Sequence, residues 1–116
     1  MAKLLVTLDG TLEQIRSCIV NGIVHGSVSA SMEDESRING EHARCCVLVF
    51  ERYSWVGGNR VSLNVTLFQE QGSPVRMVAN TAGGSQAMFW KVNTLGEGSF
   101  LQKLEELLVE AGHLRR

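Results

Sequence analysis

The sequence predicts an α+β domain: an antiparallel sheet of four to six strands with two helices on one face, in the order β-α-β-β-β-β-α. Two segments repeat apolar residues at the period of an amphipathic helix, and the segments between them alternate apolar and polar residues as half-buried strands do. Glycine-containing turns separate these alternating segments, and 116 residues are enough for one hydrophobic core but not for two. Residues 1–116 are therefore predicted to form a single domain.

The first strand is predicted at Lys3–Leu8, and a helix is predicted to begin just after Thr11. Thr11 and Gln14 have the spacing of a capping box, in which each side chain accepts a hydrogen bond from the backbone amide of the other residue. Four apolar residues then recur at helical spacing and predict the buried stripe of this helix: Leu12, Ile15, Ile19 and Ile23. We expect the helix to end between Gly22 and Gly26.

The next strand is predicted at residues 27–32, where serine alternates with apolar residues. The apolar residues on one face of this strand are Val28, Ala30 and Met32. A two-residue turn at Asn39-Gly40 would bring Met32 opposite Val47, which belongs to the other face of its strand. An odd-numbered loop or a β-bulge brings Met32 opposite Leu48 instead. Because the apolar face must stay together, we predict one of these two arrangements.

Two further hairpins are predicted from glycine-containing turns. Gly57-Gly58 suits a two-residue turn, because both glycines accept positive φ, and this turn pairs Phe50 with Val65. A three-residue loop at Glu70–Gly72, with its glycine in the left-handed position, then pairs Val65 with Met77. Both registers collect the aliphatic side chains of the three strands on one face.

The parity of the residue numbers predicts which way these side chains point. The odd-numbered aliphatic residues that face the helices are Val61, Leu63, Val65, Leu67, Val75, Met77 and Ala79. Their neighbours lie on the opposite face, which we name the outer face of the sheet because no helix is expected to cover it. Its predicted polar and aromatic residues are Ser27, Ser29, Ser31, Glu51, Tyr53, Trp55, Arg60, Ser62, Asn64, Thr66, Arg76 and Asn80, and its predicted apolar residues are Val47, Val49, Phe68 and Val78.

The C-terminal part of the chain is predicted to form a second amphipathic helix that ends at Gly112. Its apolar stripe is Phe100, Leu101, Leu104, Leu107, Leu108 and Ala111. Its N-cap is predicted at Thr94 or Ser99, each of which is followed three residues later by Glu or Gln. The apolar run at residues 86–92 is too short to assign and is compatible with either a last strand or a helical turn.

No group of residues has the spacing of a metal site or a catalytic centre. His42, Cys45 and Cys46 are metal-binding types, but adjacent strand residues point to opposite faces and a fourth ligand is missing. The consecutive acids Glu33–Glu35 are expected to be exposed charge rather than a general acid-base pair, with a weak divalent-cation site as the alternative. Ser85 lacks the sequence context of a hydrolase nucleophile. We therefore expect no metal, no cofactor and no enzymatic activity.

The segment Thr81–Trp90, TAGGSQAMFW, has a loop-like composition between two apolar runs. Its glycines permit a sharp change of backbone direction where the chain leaves the sheet, and a bend is the favoured interpretation. Free backbone amides at Gly83-Gly84-Ser85 could instead bind an anion if a helix starts directly after them. This alternative makes Ser85 and Gln86 candidate binding residues.

Composition and charge narrow the classes of partner. The formal net charge of -1 gives no broad attraction to nucleic acid or acidic lipid, so neither is an expected partner. No apolar run approaches the roughly 18–20 residues of a membrane span, and the N-terminal apolar segment is too short for a signal peptide. The odd number of cysteines fits free thiols in a reducing compartment. We expect a cytoplasmic protein.

Three stretches of the chain resemble a known group of proteins: NGIVHGSVSASMED at residues 21–34, ERYSWVGGNRVSLNVTLF at 51–68 and GGSQAMFWKVNTLGEGSFL at 83–101. The group is a family of small bacterial proteins, best known from Firmicutes, that is described as a domain of unknown function, and the likeness runs nearly end to end. The resemblance implies no activity, cofactor or site residue. The order of elements is also similar to a shortened helix-grip lipid-binding fold, an analogy of architecture that establishes no function.

Two non-enzymatic roles follow from these patterns. The first is a binding or assembly module that uses the outer face, as a homodimer or with another partner, because aromatic and arginine side chains there resemble interface anchors. Its candidate residues are Tyr53, Trp55, Arg60, Asn64, Arg76 and Asn80. The second is a carrier of a small apolar ligand between helices and sheet. Its candidate lining is Met32, Phe50, Met77, Met88, Phe89 and Trp90. An enzyme ranks last, and the only polar set predicted to converge is Glu51, Tyr53, Arg76 and Asn80.

Overall fold

A computed structural model describes residues 2–26, 30–53, 60–83 and 97–115 of the chain. These residues form five strands and two helices in the predicted order. The strands are β1 (Ala2–Leu8), β2 (Ala30–Asn39), β3 (Ala43–Tyr53), β4 (Arg60–Glu70) and β5 (Val75–Gly83), and the helices are α1 (Leu12–Gly26) and α2 (Glu97–Glu110). The predicted α+β class and element order are therefore confirmed.

The strands form one antiparallel sheet in the order β1-β5-β4-β3-β2. Strands β2 to β5 pair consecutively as hairpins, and β1 pairs with β5 at the far edge. Helix α1 connects the two edge strands and contacts β2, β4 and α2, while α2 contacts β1, β4 and β5. Both helices lie on the same face of the sheet, so the predicted outer face is the one that neither of them covers. Within the described residues, no helix is long and apolar enough to cross a membrane.

Helix α1 begins as predicted. The Gln14 amide donates to Thr11 Oγ1 and the Thr11 amide donates to Gln14 Oε1, each over 3.1 Å. This capping box satisfies amides that the first helical turn leaves without intrahelical partners. The four residues of the predicted stripe, Leu12, Ile15, Ile19 and Ile23, are at most 2% exposed. The helix ends at Gly26, within the predicted range.

Helix α2 begins before Ser99, so Ser99 lies inside the helix and is not its N-cap, and Thr94 lies outside the described residues. Three residues of the predicted stripe are fully buried: Phe100, Leu104 and Leu108. Gly112 has a φ of +82°, and the amide of His113 after it donates to the Leu108 carbonyl over 2.9 Å. This left-handed glycine ends the helix as predicted.

The predicted parity of β4 and β5 is confirmed. Every odd-numbered aliphatic residue of the predicted set, Val61, Leu63, Val65, Leu67, Val75, Met77 and Ala79, is fully buried. On β3 the fully buried residues are Cys46, Leu48 and Phe50. These side chains and the buried stripes of both helices form one hydrophobic core.

The register of β3 against β4 differs from the predicted one by two residues. Phe50 pairs with Leu63 rather than with Val65. The observed pairing is centred between residues 56 and 57, one position before the centre of Gly57-Gly58. Residues 54–59, which include that predicted turn, lie outside the described residues.

The register of β4 against β5 also differs from the predicted one by two residues, in the opposite direction along β4. Val65 pairs with Ala79, two residues beyond its predicted partner. The loop is centred on Gly72, whose φ of +79° confirms the predicted left-handed glycine, and the Ser73 amide donates to the Glu70 carbonyl over 3.0 Å. Because side chains alternate with a period of two, both shifts leave every side chain on its predicted face and change only its cross-strand neighbours.

A β-bulge changes the faces of β2. The pairing with β3 shifts by one residue between Met32 and Asp34, which leaves Glu33 unpaired. A bulge was one of the two predicted arrangements, although Met32 pairs with Phe50 and not with the predicted Leu48. Residues after the bulge point to the face opposite the one that simple alternation from Met32 predicts.

Candidate interaction surface

The outer face of the sheet carries side chains from all five strands, arranged in rows that cross the strands. Three rows reach from one edge of the sheet to the other, and each is named after its residue on the central strand β4. The Asn64 row is Lys3, Asn80, Asn64, Val49 and Asp34; the Thr66 row is Leu5, Val78, Thr66, Val47 and Ser36; the Phe68 row is Thr7, Arg76, Phe68, Cys45 and Ile38.

The apolar side chains of these rows are neighbours of one another and form what we name the apolar band. Its members are Leu5, Val78, Val47, Val49, Phe68, Cys45 and Ile38. At the two edges of the sheet, Leu5 is 64% exposed and Ile38 is 70% exposed. Single exposed apolar residues are ordinary, but an apolar band that reaches from one edge of a sheet to the other is typical of a contact surface.

Tyr53, Arg60 and Glu51 form a polar cluster at one end of the outer face. Tyr53 pairs with Arg60, whose guanidinium carbon lies 5.3 Å from the tyrosine ring centroid. Arg60 Nη1 also lies 2.9 Å from Glu51 Oε1, and hydrogen bonding to Tyr53 together with the charge of Glu51 raises the pKa of Arg60. Trp55, the predicted neighbour of Arg60, lies outside the described residues.

Arg76 lies near the opposite end of the outer face. Its guanidinium carbon is 5.4 Å from the Phe68 ring centroid, and its Nη2 is 3.2 Å from Glu70 Oε1. Phe68 and Arg60 are separated by about 26 Å at the usual rise of a strand. The predicted convergence of Arg76 with Tyr53 is therefore wrong, because each of the two register shifts moved these residues further apart along β4.

Asn64 and Asn80 lie between these two ends and pair directly across β4 and β5. Asn64 is exposed and Asn80 is half-buried, so both stay available as contact residues at the centre of the outer face. The other predicted binding residues, Ser85 and Gln86, lie outside the described residues, as does the run at 86–92.

Gly83, the last residue of β5, has a structural requirement for glycine. Its φ is +106°, and a Cβ at this position would lie 2.4 Å from the Arg60 carbonyl oxygen. A side chain would therefore clash with the backbone of β4 as well as strain the local conformation. Gly83 still pairs with Val61 within the sheet, and the remainder of the predicted bend or anion-binding segment, residues 84–90, lies outside the described residues.

The predicted ligand lining between sheet and helices is only partly within the described residues. Phe50 and Met77 are fully buried in the core, Met32 is 38% exposed, and Met88, Phe89 and Trp90 lie outside the described residues. Of the clefts in the described part of the chain, one of about 590 Å³ lies between the β2–β3 and β4–β5 turns and has a mainly polar lining. Another of about 150 Å³ lies beside the Tyr53 cluster. Neither is an apolar pocket between sheet and helices.

An ion-pair cluster joins β2 to α1 on the helix-covered face. Arg16 donates two hydrogen bonds to Glu35, from Nε to Oε2 over 2.8 Å and from Nη2 to Oε1 over 2.6 Å. Arg37 pairs with Glu35 over 3.2 Å and also with Glu13. The hydrogen bonds from Arg16 hold the pKa of Glu35 at about 2. The expectation that Glu33–Glu35 are all exposed charge is therefore wrong for Glu35, because the bulge turns it toward α1.

The residues considered for metal binding are not brought together. Cys46 is buried in the core, where burial raises the pKa of its thiol, while Cys45 lies on the outer face. His42 lies in the β2–β3 turn, with Nδ1 3.1 Å from Gln71 Oε1. Across the described ranges, no group of three or more His, Cys, Asp or Glu side chains could hold a metal ion.

Lys3 and Asp34 are outer-face residues that sequence reasoning did not assign. Lys3 belongs to β1, whose pairing with β5 cannot be read from local alternation, and Asp34 takes its place through the bulge. The sequence of the first strand does contain a pattern that places Lys3 on the outer face, since Lys3, Leu5 and Thr7 alternate with core-packed residues. Exposed charges on edge strands usually serve to prevent edge-to-edge pairing, which is the ordinary interpretation of both residues.

Comparison with known proteins gives a family but no activity. The model of a family described as "Family of unknown function (DUF6054)" matches residues 1–112 of the chain. No curated protein matches the chain, and no solved structure matches it.

Proposed function

This chain belongs to the DUF6054 family, whose function is unknown, and we propose that it is a small, non-enzymatic assembly module of the cytoplasm. Its contact surface is the outer face of the sheet. The observation that carries the proposal is the apolar band, which includes residues of all five strands on the face that neither described helix covers.

The distribution of side chains on the outer face supports a protein partner. Protein interfaces combine an apolar centre with a polar rim, and arginine and tyrosine are enriched in them. Here Val47 and Val78 lie near the centre, while the Tyr53 cluster and Arg76 lie toward the two ends. Covering one large apolar side chain contributes roughly 1 kcal/mol or more to association. A band of such residues therefore favours assembly over permanent exposure to water.

A small-molecule carrier has less support from the geometry. Ligand pockets are mostly apolar and enclose much of the ligand. The clefts formed by described residues lie at the ends of the sheet or along α2 and are lined largely by polar residues, and Phe50 and Met77 are fully buried. Among the described residues, no observation favours the carrier over the assembly module.

Photo-cross-linking at two exposed asparagines tests the proposal. Asn64 lies at the centre of the outer face and Asn21 lies on α1. Each is replaced in turn by p-benzoylphenylalanine in the cells that naturally make the protein, and adducts are compared after irradiation. We expect discrete protein adducts from position 64 and only background from position 21. Equal background from both positions would contradict an assembly role for the outer face.

A further inference from the structure

Resting on the proposed function, we infer that the partner surface is the outer face of a second copy, related to the first by a two-fold axis parallel to β4. Two charges at opposite edges of the outer face carry this inference. Lys3 lies on β1 at one edge of the sheet, and Asp34 lies on β2 at the other edge. Arg76 and Glu51 are already paired within the copy, with Glu70 and Arg60. One edge of the outer face therefore complements the other edge.

A two-fold axis along the central strand brings the complementary halves together. It lays β1 over β2 of the second copy, β5 over β3, and β4 over itself. Lys3 and Asp34 belong to the same Asn64 row at opposite edges of the sheet, so Lys3 of each copy meets Asp34 of the other. The dimer gains this pair twice, as an isologous contact requires.

The same pair cannot form within one copy. Four strand spacings separate Lys3 from Asp34, which is about 19 Å. In the part of the chain that the structure describes, neither side chain takes part in a salt bridge. Their charges are thus available to a second molecule that approaches the outer face.

The apolar band fits the same axis. Val78 and Val47 lie in the Thr66 row, one strand to either side of β4, so each valine meets the other valine of the second copy. Phe68 lies on β4 itself and meets its own counterpart near the axis. Aromatic rings that meet in this way add to the apolar contact. Sheets commonly pack face to face at a small angle, which this arrangement permits.

An axis perpendicular to the strands gives a poorer match. It would lay each strand over its own counterpart, so that the β1 edge with Lys3 would face the same edge of the second copy. The β2 edge with Asp34 would likewise face itself. Like charges placed together across an interface disfavour association. Lys3 and Asp34 therefore favour the axis parallel to β4.

The size of the outer face suits a reversible dimer. Five strands and the length between the Tyr53 and Phe68 positions give about 600 Å² for each copy. The total of about 1,200 Å² lies at the lower limit of stable protein interfaces. We therefore expect a dimer whose population depends on concentration in the micromolar range, and whose ion pairs weaken as salt is added.

Mixing two charge-reversed variants tests the inference. Lys3→Glu and Asp34→Lys each replace both attractive contacts of a homodimer by repulsive ones, so each variant alone should raise the dimer dissociation constant about tenfold or more. When the two are mixed, Glu at position 3 meets Lys at position 34 and both contacts become attractive again. We expect the mixture to form heterodimers with nearly the dissociation constant of the wild type, measured by sedimentation velocity at low salt.

Control measurements distinguish a lost dimer contact from a loss of folding. They also distinguish failure of the dimer inference from failure of the proposed assembly module. Glu106→Lys reverses an exposed charge on α2 and should leave the dissociation constant unchanged, and circular dichroism confirms that all variants are folded. If both variants dimerise weakly alone and their mixture does not recover the dissociation constant of the wild type, the proposed axis parallel to β4 is wrong. A wild type that stays monomeric at about 500 μM would overturn the inference that the partner is a second copy. In that case, a cross-link from position 64 to a different protein would still support the assembly module. Background cross-linking alone would contradict both the dimer and the assembly module.

Discussion

Among the described residues, the charged side chains at the edges of the sheet are paired within the chain on the helix-covered face but not on the outer face. On the helix-covered face, Glu35 and Arg37 are neutralised within the chain by Arg16 and Glu13. On the outer face, Lys3 and Asp34 lie at opposite edges, about 19 Å apart, and cannot neutralise each other within one chain. Two other ion pairs of the outer face, Arg60 with Glu51 and Arg76 with Glu70, do form within the chain. Lys3 and Asp34 are therefore the charges on which the proposal of a second molecule rests.

The apolar side chains show the same contrast. Val65 on β4 is fully buried beneath the helices, while Val47 on the neighbouring strand β3 lies on the outer face and stays half-exposed. Identical side chains on adjacent central strands thus have different roles. Val65 stabilises the monomer, whereas we propose that Val47 stabilises an assembly.

Matched substitutions of these valines give the largest expected difference. Val65→Asp puts a carboxylate into the core and should lower the free energy of unfolding by about 4 kcal/mol or more, which leaves little folded protein. Val47→Asp should change the free energy of unfolding of the monomer by only about 0.5 kcal/mol, because its carboxylate stays in water. Urea denaturation at dilute concentration measures both values. If both variants lose the same large free energy of unfolding, the claim that only one face of the sheet is buried in the monomer is wrong.

A smaller change in the free energy of unfolding is expected when the ion pairs between β2 and α1 are removed. The pKa of Glu35 is lowered from 4.5 to about 2, so its ion pairs contribute fully above pH 4.5 and lose their contribution as the pH falls toward 2. Glu35→Gln should therefore lower the free energy of unfolding by about 2 kcal/mol at neutral pH and flatten its decline in acid.

The neighbouring acid provides the control for Glu35. Asp34 lies on the outer face of the same strand, and Asp34→Asn should change the unfolding free energy of the dilute monomer by no more than about 0.5 kcal/mol. Urea unfolding between pH 2 and pH 7 compares the variants. If the free energy of unfolding falls equally steeply with decreasing pH in Glu35→Gln and in the wild type, these ion pairs do not stabilise the attachment of β2 to α1.

The faces of the sheet could be predicted from the sequence because they depend on short periods. The spacing of Leu12, Ile15, Ile19 and Ile23 predicts one helical stripe, and odd numbering from Val61 to Ala79 predicts the buried side of β4 and β5. All of these residues are buried. Tyr53 and Arg60 could also be placed on the outer face in this way, and they form a cluster there.

Register and long-range pairing could not be predicted in the same way. A shift of two residues leaves every side chain on its face, so apolar alternation does not distinguish Leu63 from Val65 as the partner of Phe50. The bulge after Met32 determines where Glu35 points, and the pairing of β1 with β5 determines where Lys3 lies. Neither is encoded in local periodicity, so the charge pattern of the outer face is visible only in the folded sheet.

The adjacent thiols Cys45 and Cys46 test the difference between the faces most directly, without a change in stability. Cys46 is buried, and burial raises the pKa of its thiol, so it should react with iodoacetamide only when the chain opens. Cys45 lies in the Phe68 row and should react readily in the monomer. Fragment-ion mass spectrometry distinguishes the two sites over a series of protein concentrations.

Raising the protein concentration from about 1 to about 500 μM should slow the alkylation of Cys45 about tenfold and leave the rate at Cys46 unchanged, because only the outer face becomes covered. In Val47→Asp, the rate at Cys45 should stay constant over the same range. A rate at Cys45 in the wild type that does not depend on concentration would contradict the proposal that a second copy covers the outer face.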